Sequence, residues 1–153
     1  MKLLKKGITG FFKKENIKKH TEIQIKDFIK NIKFPYILIG EIESPNHSSN
    51  YYRFTILKQN KNEKFDLLIN SCFWIIAGIK SESSWMNLDF IDIDSNLSEQ
   101  LTNQNAELQI LNKELLDSII PEEEINILDK SEIDQIIYWK SETYGEIIFN
   151  GYD

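Results

Sequence analysis

Apolar residues recur along this chain at two different spacings, and the change of spacing divides it into three stretches. From Thr21, the positions Ile25, Phe28, Ile29 and Ile32 share one helical face, while Lys26 and Lys30 lie on the other. Thr21 and Gln24 have capping-box spacing, and Pro35 ends this helix because the residue before proline avoids helical angles. The spacing then shifts towards two. PYILIGEIE (35–43) reads as a strand. In NYYRFTILKQ (50–59), Tyr52, Phe54 and Ile56 point one way, and Tyr51, Arg53 and Thr55 the other. KFDLLINSCFWIIAGIK (64–80) is too long for one flat strand, so it bends near Asn70–Ser71 or splits in two. WMNLDFIDID (85–94) reads as a further strand. The intervening SPNHSS (44–49), NKNE (60–63) and SESS (81–84) are turn chemistry.

Beyond Asp94 the pattern is mixed. SNLSEQLTNQ (95–104) carries a weak helical pattern, and NAELQILN (105–112) either extends it or forms a strand. KELLDSIIPEEEINILD (113–129) is broken by Pro121, which reads as the first helical position ahead of three acids that complement the helix dipole. SEIDQIIYWK (131–140) is the clearest late helix. Ser131 is its expected cap, Glu132 and Asp134 its first-turn acids, and Ile133, Ile136 and Ile137 its apolar stripe. SETYG then turns, and EIIFN (146–150) reads as a closing strand. Strands joined by short polar turns, with helices mainly before and after them, predict an α+β fold. The expected architecture is an antiparallel sheet of about four to six strands with helices packed at one face. The chain reads as a single domain over residues 1–153, with a basic arm and helix at about 1–33, a strand-rich part at 34–94 and a mixed part at 95–153.

Charge changes this picture more than composition does. The net charge of -6 hides ten lysines against three acids in residues 1–33 and three lysines against seventeen acids in residues 81–153. Either the basic arm pairs with the acidic half, or the acidic half faces a basic partner, since opposite potentials steer association. Nucleic acid fits poorly: the acidic half repels phosphate, and the arm has no arginine to read bases. The apolar part of the N-terminal stretch MKLLKKGITGFF is interrupted by Lys5, Lys6 and Gly7, so no secretory leader is expected. No apolar run is long enough to span a membrane, and a cytoplasmic location follows as the expectation.

Candidate chemistry is sparse. Cys72 is the single cysteine and sits in an apolar run, as a buried inert thiol would. Asp92, Asp94 and Asn96 alternate like the start of a calcium loop, but Leu97 stands where that loop needs glycine and Asn103 where it needs a bidentate glutamate. His20 and His47 belong to no metal motif, and no phosphate-binding glycine loop or GxSxG elbow is present. No cofactor and no catalytic residue are therefore expected.

The tail IIYWKSETYGEIIFNGYD and the start LLKKGITGFF resemble the two ends of a group of small bacterial proteins, several encoded beside secreted polymorphic toxins, that look like immunity proteins. Tyr152 stands where that pattern has Trp, and Ser141 where it often has Pro. The resemblance implies a toxin-neutralising binding protein rather than an enzyme, occluding a basic toxin domain through an acidic surface. The candidate partner-binding residues are Glu82, Trp85, Asp89, Asp92 and Asp94, because interface hot spots favour aromatics ringed by polar groups. Two alternatives stay open: an enzyme with a carboxylate-lined pocket, and a homodimeric structural or adaptor protein paired along a strand edge. The crowd of aromatics at 139–152 is expected to close the fold and pin both termini.

Overall fold

Hairpin connections generate the sheet. The computed structural model describes residues 3–11, 18–45 and 49–152. In it, β1 (Tyr36–Glu43), β2 (Tyr51–Lys58), β3 (Glu63–Asn70), β4 (Ile75–Ile79) and β5 (Phe90–Ile91) lie side by side in chain order, each antiparallel to the last. The two-residue β6 (Gln109–Ile110) pairs parallel to the start of β4, on the edge whose far end takes β5. The α+β class and the strand number agree with the expectation. His47 and Phe12, noted above as a loop histidine and part of an aromatic start, lie outside the described residues.

The long run at 64–80 resolves into β3 and β4 around a corner at Ser71–Trp74. Asn70 makes that corner: its side-chain oxygen accepts from the backbone of Cys72 and Phe73, at 2.9 and 3.0 Å. Between β2 and β3 the turn passes through Asn62 at φ 51°, a left-handed position that asparagine tolerates better than most residues.

Two of the expectations for packing are corrected here. Helices cover both faces of the sheet, not one, because the inner strands are apolar on both sides. Tyr52, Phe54, Ile56, Leu67, Ile69 and Ile76 face α1 (Glu22–Ile29) and α2 (Ser95–Gln104). Tyr51, Leu68, Ala77 and Ile79 face the opposite core with α3 (Lys113–Leu116), α5 (Lys130–Trp139) and α6 (Tyr144–Ile148). The alternation in β2 is therefore as the sequence predicts, with both of its faces covered. In addition, the stretch 85–94 is a strand only at Phe90–Ile91; the rest is loop, because Ser83–Asp89 fold back on themselves.

The helix ends also differ in detail. α1 has the predicted capping box from Thr21 and Gln24 but stops at Ile29, well before Pro35. α4 (Glu122–Ile125) starts one residue later than expected, with Pro121 at the cap position. α5 is capped by Asp129 rather than Ser131, in a capping box with Glu132. Ile136 of its apolar stripe is buried, whereas Ile137 and Tyr138 are exposed. EIIFN is not a strand: Thr143 accepts from the Glu146 N–H and opens α6. Nor is Gly145 a turn residue. It lies inside α6, where a Cβ would come within 2.3 Å of the Phe90 ring, so its lack of a side chain lets helix and sheet approach.

The expectation that the tail pins both termini is met by a polar junction. Asn50 and Asn70 donate through their side chains to both the Ile8 and Ile148 carbonyls, at 2.9–3.0 Å. Asn150 donates to the Thr9 and Ile147 carbonyls. The basic arm also meets the acidic half, and among the described residues it does so by its backbone. Glu132, fully buried, accepts from the Gly7 N–H (2.9 Å), the Thr9 N–H (3.1 Å) and the Thr9 hydroxyl (2.5 Å). Glu124 accepts from the Leu3 N–H at 3.0 Å and from the Tyr144 hydroxyl. A buried carboxylate is tolerable here because several donors and the first turn of α5 satisfy it.

Replacing Glu132 by Ala orphans those donors and leaves a void, so it should lower stability by about 3–5 kcal/mol in denaturant titration. E132Q keeps the shape and should cost less, about 1–3 kcal/mol. In both variants the Gly7 and Thr9 amides should lose exchange protection first. Unchanged protection there would contradict the assignment.

Candidate protein-binding groove

Arg53 is the post on which one wall of a surface groove stands. On β2 it faces Asp66 of β3, and the pair closes at 2.6 Å in nearly complete burial. Thr55 also donates to Asp66, at 2.7 Å. The Arg53 Nη2 donates to the Ser81 and Ser83 carbonyls at 3.1 and 2.9 Å, so one buried ion pair fixes the start of the loop after β4. The loop then closes on itself. Ser84 bridges Asn87, Asp89 N–H donates to the Ser83 hydroxyl, and Lys80 N–H donates to the Asp89 carbonyl. Its tip is Trp85–Met86, 48% and 77% exposed.

The opposite wall comes from the C-terminal segment. α5 ends at Lys140, which adopts the left-handed conformation (φ 56°) and turns the chain, with Ser141 N–H reaching back to the Ile136 carbonyl. Trp139, 38% exposed, stacks on Tyr152 with ring centroids 6.1 Å apart and donates its indole N–H to Gln135. Tyr138 meets Trp139 edge-on. Tyr152 donates to the Ser141 hydroxyl at 2.5 Å. Burial pushes its phenol up to about 12, with Glu146 adding to the shift. Phe90 and Phe149 form the floor, and Asp117 and Glu146 supply the carboxylates. The groove encloses about 390 Å³.

The five residues singled out from the sequence separate in space. Trp85 lines the groove. Glu82 is exposed in the turn that leads to it. Asp89 is exposed but sits between Lys80 and Lys113, at 3.3 and 3.9 Å, and Asp92 accepts from the Lys113 backbone N–H at 2.8 Å. Asp94 belongs to the fold. It caps α2 through the Leu97 N–H, accepts from the Tyr36 hydroxyl and pairs with Lys58 at 2.9 Å. Burial alone would raise its pKa, but the bonds from Tyr36, Leu97 and Lys58 outweigh that and hold it below the usual carboxylate range. The three aspartates are exposed, but each already has a partner within the chain, and they are not gathered on one strand. Sequence reasoning missed Trp139 and Tyr152 as groove residues, assigning both to the aromatics that close the fold.

A larger cleft of about 760 Å³ lies beside the terminal junction, lined by residues including Lys19, His20, Asn50, Tyr52 and Asn150. Glu22 is the one carboxylate among its described lining residues. His20 stacks on Trp74 with centroids 4.2 Å apart, and burial lowers its pKa. Cys72 is half-buried, and burial raises its thiol pKa. Among the described residues, no cluster of three or more His, Cys, Asp or Glu is placed to hold a metal, and no helix is long and apolar enough to cross a membrane. Compared with known proteins, the chain matches no family model, no curated protein and no solved structure.

Two outcomes test this geometry. Arg53→Met strands Asp66 and frees the 81–83 carbonyls, so it should cost about 3–5 kcal/mol and raise the exchange rate of the 81–89 amides. Equal loop protection in wild type and R53M would contradict the anchoring role. Because the Asp94 pKa is depressed in the fold, its contribution is present above the ordinary carboxylate pKa and lost as pH falls through the lower folded value. D94N should therefore flatten the stability-versus-pH curve below the ordinary carboxylate pKa, read by denaturant midpoints.

Proposed function

We propose that this chain is a toxin-neutralising, immunity-type binding protein, and that its contact face is the groove between Trp85–Met86 and Trp139–Tyr152. One observation carries the reading: a Trp–Met tip is held out in solvent on a loop fixed by a buried ion pair. Exposing apolar surface on a rigid support has no folding benefit, and such surface marks an interaction site. The support also matters for affinity, because a preorganised loop loses little freedom on binding. The tail that carries the resemblance to immunity-like proteins falls on the same place, since Trp139, Thr143, Gly145, Glu146, Phe149 and Tyr152 all line the groove. Tryptophan and tyrosine set against a polar rim have the composition of interface hot spots.

In this mechanism the net negative charge of residues 81–153 draws in a basic partner, and the aromatics supply the close contact. Neutralisation follows by occlusion, the partner's active surface being covered while its segment occupies the groove. The protein performs no chemistry of its own in this account.

The test couples capture with function. Tagged wild-type chain and a W85A/W139A variant serve as baits in the native cell, and the captured protein is then expressed alone and with each bait. Wild type should bind in a salt-sensitive manner and restore growth of cells poisoned by the partner. The variant should bind at least about 100-fold more weakly and fail to restore growth, two hot spots having been removed. A partner held equally well by both baits would overturn the assignment of the face. A partner with no effect on growth would overturn the neutralising role.

A further inference from the structure

The groove has a chemical preference beyond being apolar. It contains two carboxylates, Asp117 and Glu146, and no lysine or arginine among its described lining residues. The carboxylates differ. Asp117 already pairs with Lys113 at 2.8 Å. Glu146 accepts only from the Glu142 N–H and the Thr143 hydroxyl, at 3.4 and 3.2 Å, and no described cation lies within ion-pair distance of it. It is exposed, on the first turn of α6, and lines the same groove as Trp85, Trp139 and Tyr152.

We infer that the groove is an arginine-reading site: a partner's guanidinium group lies against the aromatic walls formed by Trp85 and the Trp139–Tyr152 stack, and pairs with Glu146. This inference rests on the binding reading above and narrows it to one side chain. Three features argue for arginine. Indole faces attract cations, most strongly when the site excludes water. The guanidinium is flat, so it stacks where a lysine ammonium acts as a point charge. A carboxylate at the end of a stacked guanidinium accepts two parallel N–H bonds, which adds geometric selectivity to charge. Trp85 has no aromatic partner among the described residues, whereas Trp139 is already braced by Tyr138 and Tyr152. The braced wall and the Trp85 ring are the two faces offered to the occupant.

The experiment uses the intact chain and N-acetyl-L-arginine amide as the probe, followed by indole N–H shifts of Trp85 and Trp139. Its uncharged isostere, N-acetyl-L-citrulline amide, is the control. Saturable shifts at these two indoles are expected with the arginine amide. The citrulline analogue should bind about tenfold more weakly, and E146Q, which retains the hydrogen-bond acceptor, should weaken arginine binding by about three- to tenfold. Equal response to both probes, shifts only at Trp74, or an unaffected E146Q would each overturn the inference. The two readings fail separately. A partner protein that needs Trp85 and Trp139 while the arginine amide does not bind leaves the binding face and removes its arginine preference. Arginine amide bound through Glu146 with no protein captured supports the site and removes the neutralising role.

Discussion

The union of the N-terminal segment with the late helices depends on one buried carboxylate. Glu132 sits in the first turn of α5 and gathers the backbone of residues 7–9, so the chain's start is held against its late helices. A charged group in that position is costly unless each lone pair finds a donor, and here the donors come from a segment more than a hundred residues away in sequence. The asparagines at 50, 70 and 150 complete the constraint by tying the Ile8 and Ile148 carbonyls to the end of the sheet. Both ends of the chain therefore become part of one core, with Leu4, Ile8, Phe149 and Tyr152 buried together. Among the described lysines of the arm, Lys5, Lys6, Lys18 and Lys19 stay exposed.

That constraint also accounts for the groove. With the tail fixed from Asn150 inward, Trp139 and Tyr152 are held at a set distance from the sheet, and Gly145 allows the Phe90 ring to form the floor. The other wall is fixed independently, by Arg53 and Asp66 on the central strands. Two rigid walls on separate supports, both ending in exposed tryptophan, make a preorganised surface. Loops that carry function are commonly placed in this way by a scaffold.

The sheet was legible because its signals are local. Alternation in 50–59, the turn at 60–63 and the break near Asn70 each follow from neighbouring residues, and the Thr21–Gln24 box marks its helix directly. What was not legible depends on distant contacts or competing signals. Glu132 looks like any first-turn acid, since nothing near it in sequence shows that residues 7–9 will cover it. Thr143 and Glu146 have the spacing of a helix start, but Gly145 and the β-branched pair Ile147–Ile148 argue for a strand; packing on Phe90 decides for the helix. Asp92 and Asp94 would share one face of the expected 85–94 strand, but the strand that forms is only two residues long. Trp85 stood out as an aromatic among acids, the composition that interface hot spots favour. Trp139 did not, because it was read with the aromatics that close the fold.

The most direct test of the central claim is a hydrogen-exchange footprint of the chain bound to its captured partner. The account predicts new protection confined to the two walls, residues 83–88 and 139–146, with the Gly7 and Thr9 amides equally slow before and after binding. Protection along the free edge of β1 or around His20 and Tyr52, with the groove unchanged, would contradict it and would direct attention to strand-edge pairing or to the larger cleft.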